Sequence, residues 1–251
     1  LVCVEGLSAA RVCVEPSGGT CATGLDCAWG VCEGGRCDPV RALAAGTAST
    51  CVLLESGQIE CAGDNTFFQI SPDDTLTIAP TFSNLRDAFG AAPPFEAVAV
   101  GPSHVCTLEG GEVRCWGAGN FGQTGGPTTR TPPFPDPIVA VSGVREIALG
   151  LDLSCARTAT QVLCWGTDRF GLLGDTATYP SGPGTDPSRS RPAPIELAGP
   201  ARDIDASFYH ACAVTLDGDL WCWGANDHAN LGVPDTGERC DTSVVPGTPL
   251  P

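Results

Sequence analysis

The sequence predicts an all-β fold assembled from a repeated hairpin. Three observations carry that expectation: a unit that recurs roughly every 50 residues, cysteines at the same two places in every unit, and proline-rich stretches between units. Four segments align: LAAGTASTC ending at Cys51, VAVGPSHVC at Cys106, IALGLDLSC at Cys155 and IDASFYHAC at Cys212. Each runs on to a second cysteine and a related tail, CAGDNTFFQIS from Cys61, CWGAGNFGQTG from Cys115, CWGTDRFGLLG from Cys164 and CWGANDHANLG from Cys222.

Within a unit the elements follow in order. A short apolar strand begins at Leu43, Val98, Ile147 or Ile204 and stops at Gly46, Gly101, Gly150 or Ser207. A hairpin comes next. In the second unit Gly110-Gly111 forms a two-residue turn of the primed type; Glu55-Ser56-Gly57 and Leu216-Asp217-Gly218 form three-residue loops with glycine last. Proline-rich connections such as 131–137 cannot be central strands, because proline lacks the N–H a ladder needs.

The turns fix the cysteine chemistry. Counting outward from Gly110-Gly111 puts Cys106 opposite Cys115 in a non-hydrogen-bonded slot, where Cα atoms lie about 4.5 Å apart, within disulfide range. Cys155 falls opposite Cys164 by the same count. In the first and fourth units one extra residue in the loop matches one extra residue between the cysteines, so Cys51 faces Cys61 and Cys212 faces Cys222. Four hairpin disulfides are expected.

Composition narrows the function. The chain has 251 residues, 15 of them cysteine, with 42% apolar residues. No Cys-x-x-Cys or Cys/His cluster suits a metal, so neither metal nor cofactor is expected, and disulfides in an oxidising compartment explain the cysteines. No apolar run approaches the roughly 20 residues of a membrane helix. Formal charge is −16, and all 13 basic residues are arginine. That balance argues against nucleic acid, whose phosphates need cations, and against an anionic membrane surface. Without lysine there is no Schiff base and no P-loop. The chain starts Leu-Val-Cys and contains no methionine, which reads as part of an exported precursor that is secreted, periplasmic or at the cell surface.

The tails resemble the regulator of chromosome condensation repeat family, in its secreted, cysteine-paired bacterial type. Its units centre on a Trp-Gly pair, an asparagine two residues later and a closing Gly-Gln-Leu-Gly. Here stand Trp116-Gly117 with Gly122-Gln123-Thr124-Gly125, Trp165-Gly166 with Leu173-Gly174, and Trp223-Gly224 with Asn226 and Leu231-Gly232. The first unit departs from the pattern, with Ala62 in the tryptophan slot and Phe68-Gln69-Ile70-Ser71 at the close. The resemblance covers about residues 40–251. It implies a β-propeller with blades of four strands, in repeats at about 39–95, 96–143, 144–200 and 201–251. Family rings usually have about seven blades, so an incomplete or truncated ring is expected. Residues 1–38 form a separate cysteine-rich module: Cys3, Cys13, Cys21, Cys27, Cys32 and Cys37 are crowded into a stretch too small for its own core, with connectivity left open. Cys240 is left over, its partner expected beyond this chain.

Candidate chemistry is sparse. His104 and His210 share a slot filled elsewhere by Ser49 and Leu153, which reads as packing. Trp116, Trp165 and Trp223 read as blade core ahead of a cleft lining. Asp73/Asp74 and Asp217/Asp219 read as solvated loops, since no calcium-loop pattern surrounds them. No Gly-x-Ser-x-Gly elbow exists, and no catalytic residue is assigned. Recognition is placed on the loops after each Trp-Gly pair: Asn120-Phe121, Arg169-Phe170 and Asp227-His228, different side chains on equivalent slots. The competing reading of these slots is that they seal one blade against the next. The expected function is an interaction scaffold that binds a protein, such as a secreted enzyme or surface protein. The alternative is an extracellular hydrolase or lyase acting on polysaccharide at the propeller channel.

Overall fold

The computed structural model of the chain describes residues 30–33, 36–71, 76–84, 94–126, 141–174 and 189–233. Among these residues the structure is all-β apart from one short 3-10 turn, and its strands form four antiparallel sheets. Blade 1 contains β1 (Gly30–Glu33), β2 (Arg36–Ala45), β3 (Ser49–Leu54), β4 (Ile59–Asp64) and β5 (Ile78–Asn84), paired in that order. Blade 2 contains β6 (Ala97–Val100), β7 (His104–Glu109) and β8 (Glu112–Gly117). Blade 3 contains β9 (Glu146–Leu149), β10 (Leu153–Arg157), β11 (Val162–Gly166) and β12 (Arg189–Ile195), and blade 4 contains β13 (Ala201–Ala206), β14 (His210–Thr215) and β15 (Leu220–Gly224).

Each blade is a meander. Strands β2, β6, β9 and β13 neighbour one another in series and form the inner row, with β1 added at the edge beside β2. The outer strands β5 and β12 contain Pro80 and Pro192/Pro194, on sheet edges where a missing N–H breaks no ladder. The stretch 131–137 lies outside the described residues. The boundary expected between residues 38 and 39 falls inside β2, and β1 adds to the same strand, with Cys32 opposite Cys37. Cys37 is disulfide-bonded; Cys3, Cys13, Cys21, Cys27 and Cys240 lie outside the described residues.

Register places each hairpin's cysteines opposite each other: Cys51 and Cys61, Cys106 and Cys115, Cys155 and Cys164, Cys212 and Cys222. All four pairs are bonded, with Cα atoms 4.1 Å apart. At Gly110 and Gly111 φ is positive (59° and 79°), as a primed turn requires.

The joints between blades repeat one design. A blade's disulfide lies on its trailing face, and the next blade brings a tryptophan to the same core. Cys51 and Cys61 share a cluster with Trp116, Cys106 and Cys115 with Trp165, and Cys155 and Cys164 with Trp223. The indole N–H then donates back to the earlier blade's tail: Trp116 to the Gln69 carbonyl at 2.7 Å, Trp165 to that of Gln123 at 2.9 Å, and Trp223 to that of Leu172 at 2.9 Å. A fully buried indole needs such an acceptor. The tryptophans are therefore ligatures between blades.

The glycine after each tryptophan has its own cause. Gly166 has φ of 115°, and a Cβ there would collide with the Asp152 carbonyl; Gly63, Gly117 and Gly224 meet the same obstacle from Ala48, Ser103 and Tyr209. Those four carbonyls accept the N–H of Asp64, Ala118, Thr167 and Ala225, tying the first loop of each blade to its tail.

Candidate functional site

Meander topology sorts the loops onto two faces. Hairpin turns lie at one end of the strands. The loop between the first two strands and the tail after the third lie together at the other end. Each tail is held from inside. The Asn65 side-chain oxygen accepts the N–H groups of Ile70 (3.0 Å) and Ser71 (2.9 Å), Asp168 accepts that of Leu173 (2.9 Å) and Asn226 that of Leu231 (3.1 Å). Blade 2 has Gly119 in this slot and braces its tail from Gln123, whose side-chain oxygen accepts the Phe121 N–H at 3.0 Å. The frame is rigid, and it presents the residues it does not use.

The residues presented are those at the candidate slots. Asn120, Arg169, Asp227 and His228 are exposed, and Phe121 and Phe170 are half-buried. The Arg169 guanidinium sits over the Phe121 ring, 5.9 Å from its centroid, so the tails of blades 2 and 3 touch. Phe170 packs edge-on against Tyr209 at 5.4 Å, and Tyr209 against Phe208 at 6.1 Å. A continuous strip therefore runs from Phe121 through Arg169 and Phe170 to Tyr209 and Phe208, across three blades. Asp227 and His228 share the face. Part of the strip is a blade-to-blade contact, and its outer surface stays open, with Phe208 46% exposed.

Phe208 and Tyr209 were not singled out from the sequence. They sit in the loop before the hairpin, where the other units carry Thr47-Ala48, Pro102-Ser103 and Leu151-Asp152. Two adjacent aromatics in a loop that is otherwise small or polar was the available signal.

The histidine slot has a structural task. His104 is fully buried, and its Nε2 lies 2.9 Å from the Ser154 hydroxyl, which itself donates to the Gln123 carbonyl at 2.8 Å. Ser154 must therefore accept from His104, so the neutral ring carries its proton on Nε2. Nδ1 is buried without a partner. Burial pushes the His104 pKa down to about 3.

On the inner row burial holds Glu146 above the ordinary carboxylate range; Arg157, at 2.7 Å, pulls the other way, and a hydrogen bond with Asp203 raises it further. Asp217 and Asp219 lie in an exposed hairpin loop, and Asp73/Asp74 lie outside the described residues. Among the described residues no group of three or more metal-ligating side chains forms, and no helix is long and apolar enough to cross a membrane.

Sheets in series, joined by buried tryptophans around an inner row of strands, define a propeller segment. The family model for the regulator of chromosome condensation (RCC1) repeat matches residues 201–229, the three strands and tail of blade 4. The chain is a propeller segment similar to proteins built from RCC1 repeats. Over 160 residues it is 30% identical to the ultraviolet-B receptor UVR8 of Arabidopsis thaliana, an alignment covering 62% of this chain and 34% of that protein. Prp20p of Saccharomyces cerevisiae has a similar fold, with TM-score 0.66 and 23% identity over 78% of this chain and 46% of that one. Yeast RCC1 (Prp20) bound to Kap60 gives 0.65 and 24%, over 78% and 44%. The chain thus spans less than half the length of each relative.

Proposed function

We propose that this chain is a secreted or cell-surface scaffold that binds a folded protein through its loop face and performs no catalysis. The strip from Phe121 to Phe208 carries the reading. It joins aromatic and arginine side chains, the usual energetic anchors of protein interfaces, on a frame fixed by backbone hydrogen bonds. Four disulfides fit an oxidising compartment, so a secreted enzyme or surface protein suits the location. Prp20p has binding properties to Gsp1p and histones. A charge of −16 does not suit a chromatin partner here.

The test is affinity capture from extracellular fluid with the oxidised chain, beside the Phe121→Ala/Arg169→Ala double variant. Specific retention that falls at least about tenfold in the variant supports the scaffold. Equal retention by both proteins rejects the strip as the binding surface. Turnover of a polysaccharide above background in a parallel screen would replace this reading with the hydrolase or lyase alternative. DNA and RNA should give no gel shift even near ~50 mM salt, where phosphate contacts are strongest.

A further inference from the structure

We infer that residues 1–29 cover the leading face of blade 1 and act as a cap on the propeller arc. The observation is a face that is buried in the other blades and partly open in this one, where Leu54 is buried but its neighbours on the same face are not. In blades 2, 3 and 4 the residue after the first hairpin cysteine points at the preceding blade, and Thr107, Ala156 and Ala213 are buried there. Their counterpart Val52 is half-buried, and its register partner Leu43 is 70% exposed. On β5, Ile78 is 62% exposed and Phe82 48%. Phe82 precedes Ser83, the register partner of Cys61, so strand alternation turns it to the face opposite the disulfide. Leu43, Val52 and Phe82 thus lie on the same face of blade 1 as Ala62.

Ala62 occupies the slot from which Trp116, Trp165 and Trp223 bond to a preceding tail. Blade 1 has no indole to donate, so another blade on this face would lack the hydrogen bond that every other joint contains. An apolar face of this kind needs cover.

The path of the chain supplies that cover. β1 is antiparallel to β2, with Glu33 opposite Arg36 and Gly30 opposite Pro39. Traced upstream from Glu33 to Gly30, it follows β2 toward Leu43. From Pro39 to Leu43 is about 13 Å of strand, well within reach of 29 residues. This segment contains Trp29 immediately before β1.

The test uses the full chain with Phe82→benzoylphenylalanine, irradiated at low concentration and mapped by peptide mass. Cross-links into residues 1–29 of the same chain are expected. Cross-links to another blade or to a second copy, or none at all, overturn the cap. Independently, Leu43→Asp should speed amide exchange in residues 1–29 about tenfold while β10 and β11 keep their protection. Unchanged exchange in residues 1–29 overturns it too.

Discussion

Blade 1 and blade 3 are meanders with the same hairpin disulfide, blade 1 carrying β1 as an extra strand beside β2, and they differ in what they present on the leading face. Blade 3 presents Trp165, fully buried, bonded to the Gln123 carbonyl beside Ser154 and His104. Blade 1 presents Ala62, on a face that also carries exposed Leu43 and Phe82. A repeat therefore has two separable parts. The disulfided hairpin makes the blade, and the tryptophan makes the joint. Blade 1 keeps the disulfided hairpin without the tryptophan.

The largest expected effect tests that separation. Trp165→Ala removes a fully buried side chain together with its hydrogen bond, and should cost about 3–5 kcal/mol. Ala62→Ser, at the equivalent position in blade 1, should stay within about 1 kcal/mol. Denaturant midpoints of the two variants check the contrast. Equal losses would show that the tryptophan slot serves the blade itself.

Next come the disulfides, which both blades share. Each closes a short loop, worth roughly 2–3 kcal/mol by chain entropy, so replacing Cys51/Cys61 or Cys155/Cys164 with alanine pairs should destabilise by similar amounts. Non-reducing peptide mapping should recover each link within one hairpin. Dominant links between units would break the blade assignment.

How far these features were legible in the sequence depends on how local they are. Hairpin register follows from turn length, so the position of Cys106 opposite Cys115 was readable by counting. The propeller came with the Trp-Gly tails, since nothing local dictates how sheets stack. The target of each tryptophan was not readable, because the Gln123 carbonyl lies 42 residues from Trp165 and meets it only when blades stack. The aromatic strip was half readable: Phe121, Arg169 and Phe170 stood in equivalent slots, while Phe208 and Tyr209 join from a different loop of the next blade. β1 escaped notice because Gly30–Glu33 looked like part of a crowded cysteine module and not an extension of β2.

A smaller effect separates the joints by pH. The His104 pKa is about 3 in the folded chain, against an ordinary value near 6.5. The unfolded chain therefore binds the proton more readily, so stability is fully present above about pH 6.5 and is lost as pH falls toward 3, with a slope of up to about 1.4 kcal/mol per unit. Leucine fills this slot in blade 3 as Leu153, which makes His104→Leu the natural control. Denaturation midpoints between pH 7 and 4 should fall less steeply in that variant. Identical slopes would show that His104 does not carry the acid sensitivity of the joint between blades 2 and 3.

The smallest expected effect on stability belongs to the loop strip, and there the comparison turns from joints to recognition. Arg169 is exposed and its contact with Phe121 is a cation–π pair at the rim, worth about 0.5–1 kcal/mol at such a site. Phe208 is nearly half exposed and packs on Tyr209 from one side only. Arg169→Ala and Phe208→Ala should each move the denaturation midpoint by no more than about 1 kcal/mol, several-fold less than Trp165→Ala. The tails themselves are held by Gln123, Asp168 and Asn226, which neither variant touches. If these residues serve recognition, the two variants lose partner retention while their melting curves overlay the parent's. If they seal blade 2 to blade 3 and blade 3 to blade 4, the order reverses: the midpoint drops as far as for a joint tryptophan and binding survives. The strip would then be one more seam, and the partner surface would have to be sought elsewhere on the molecule.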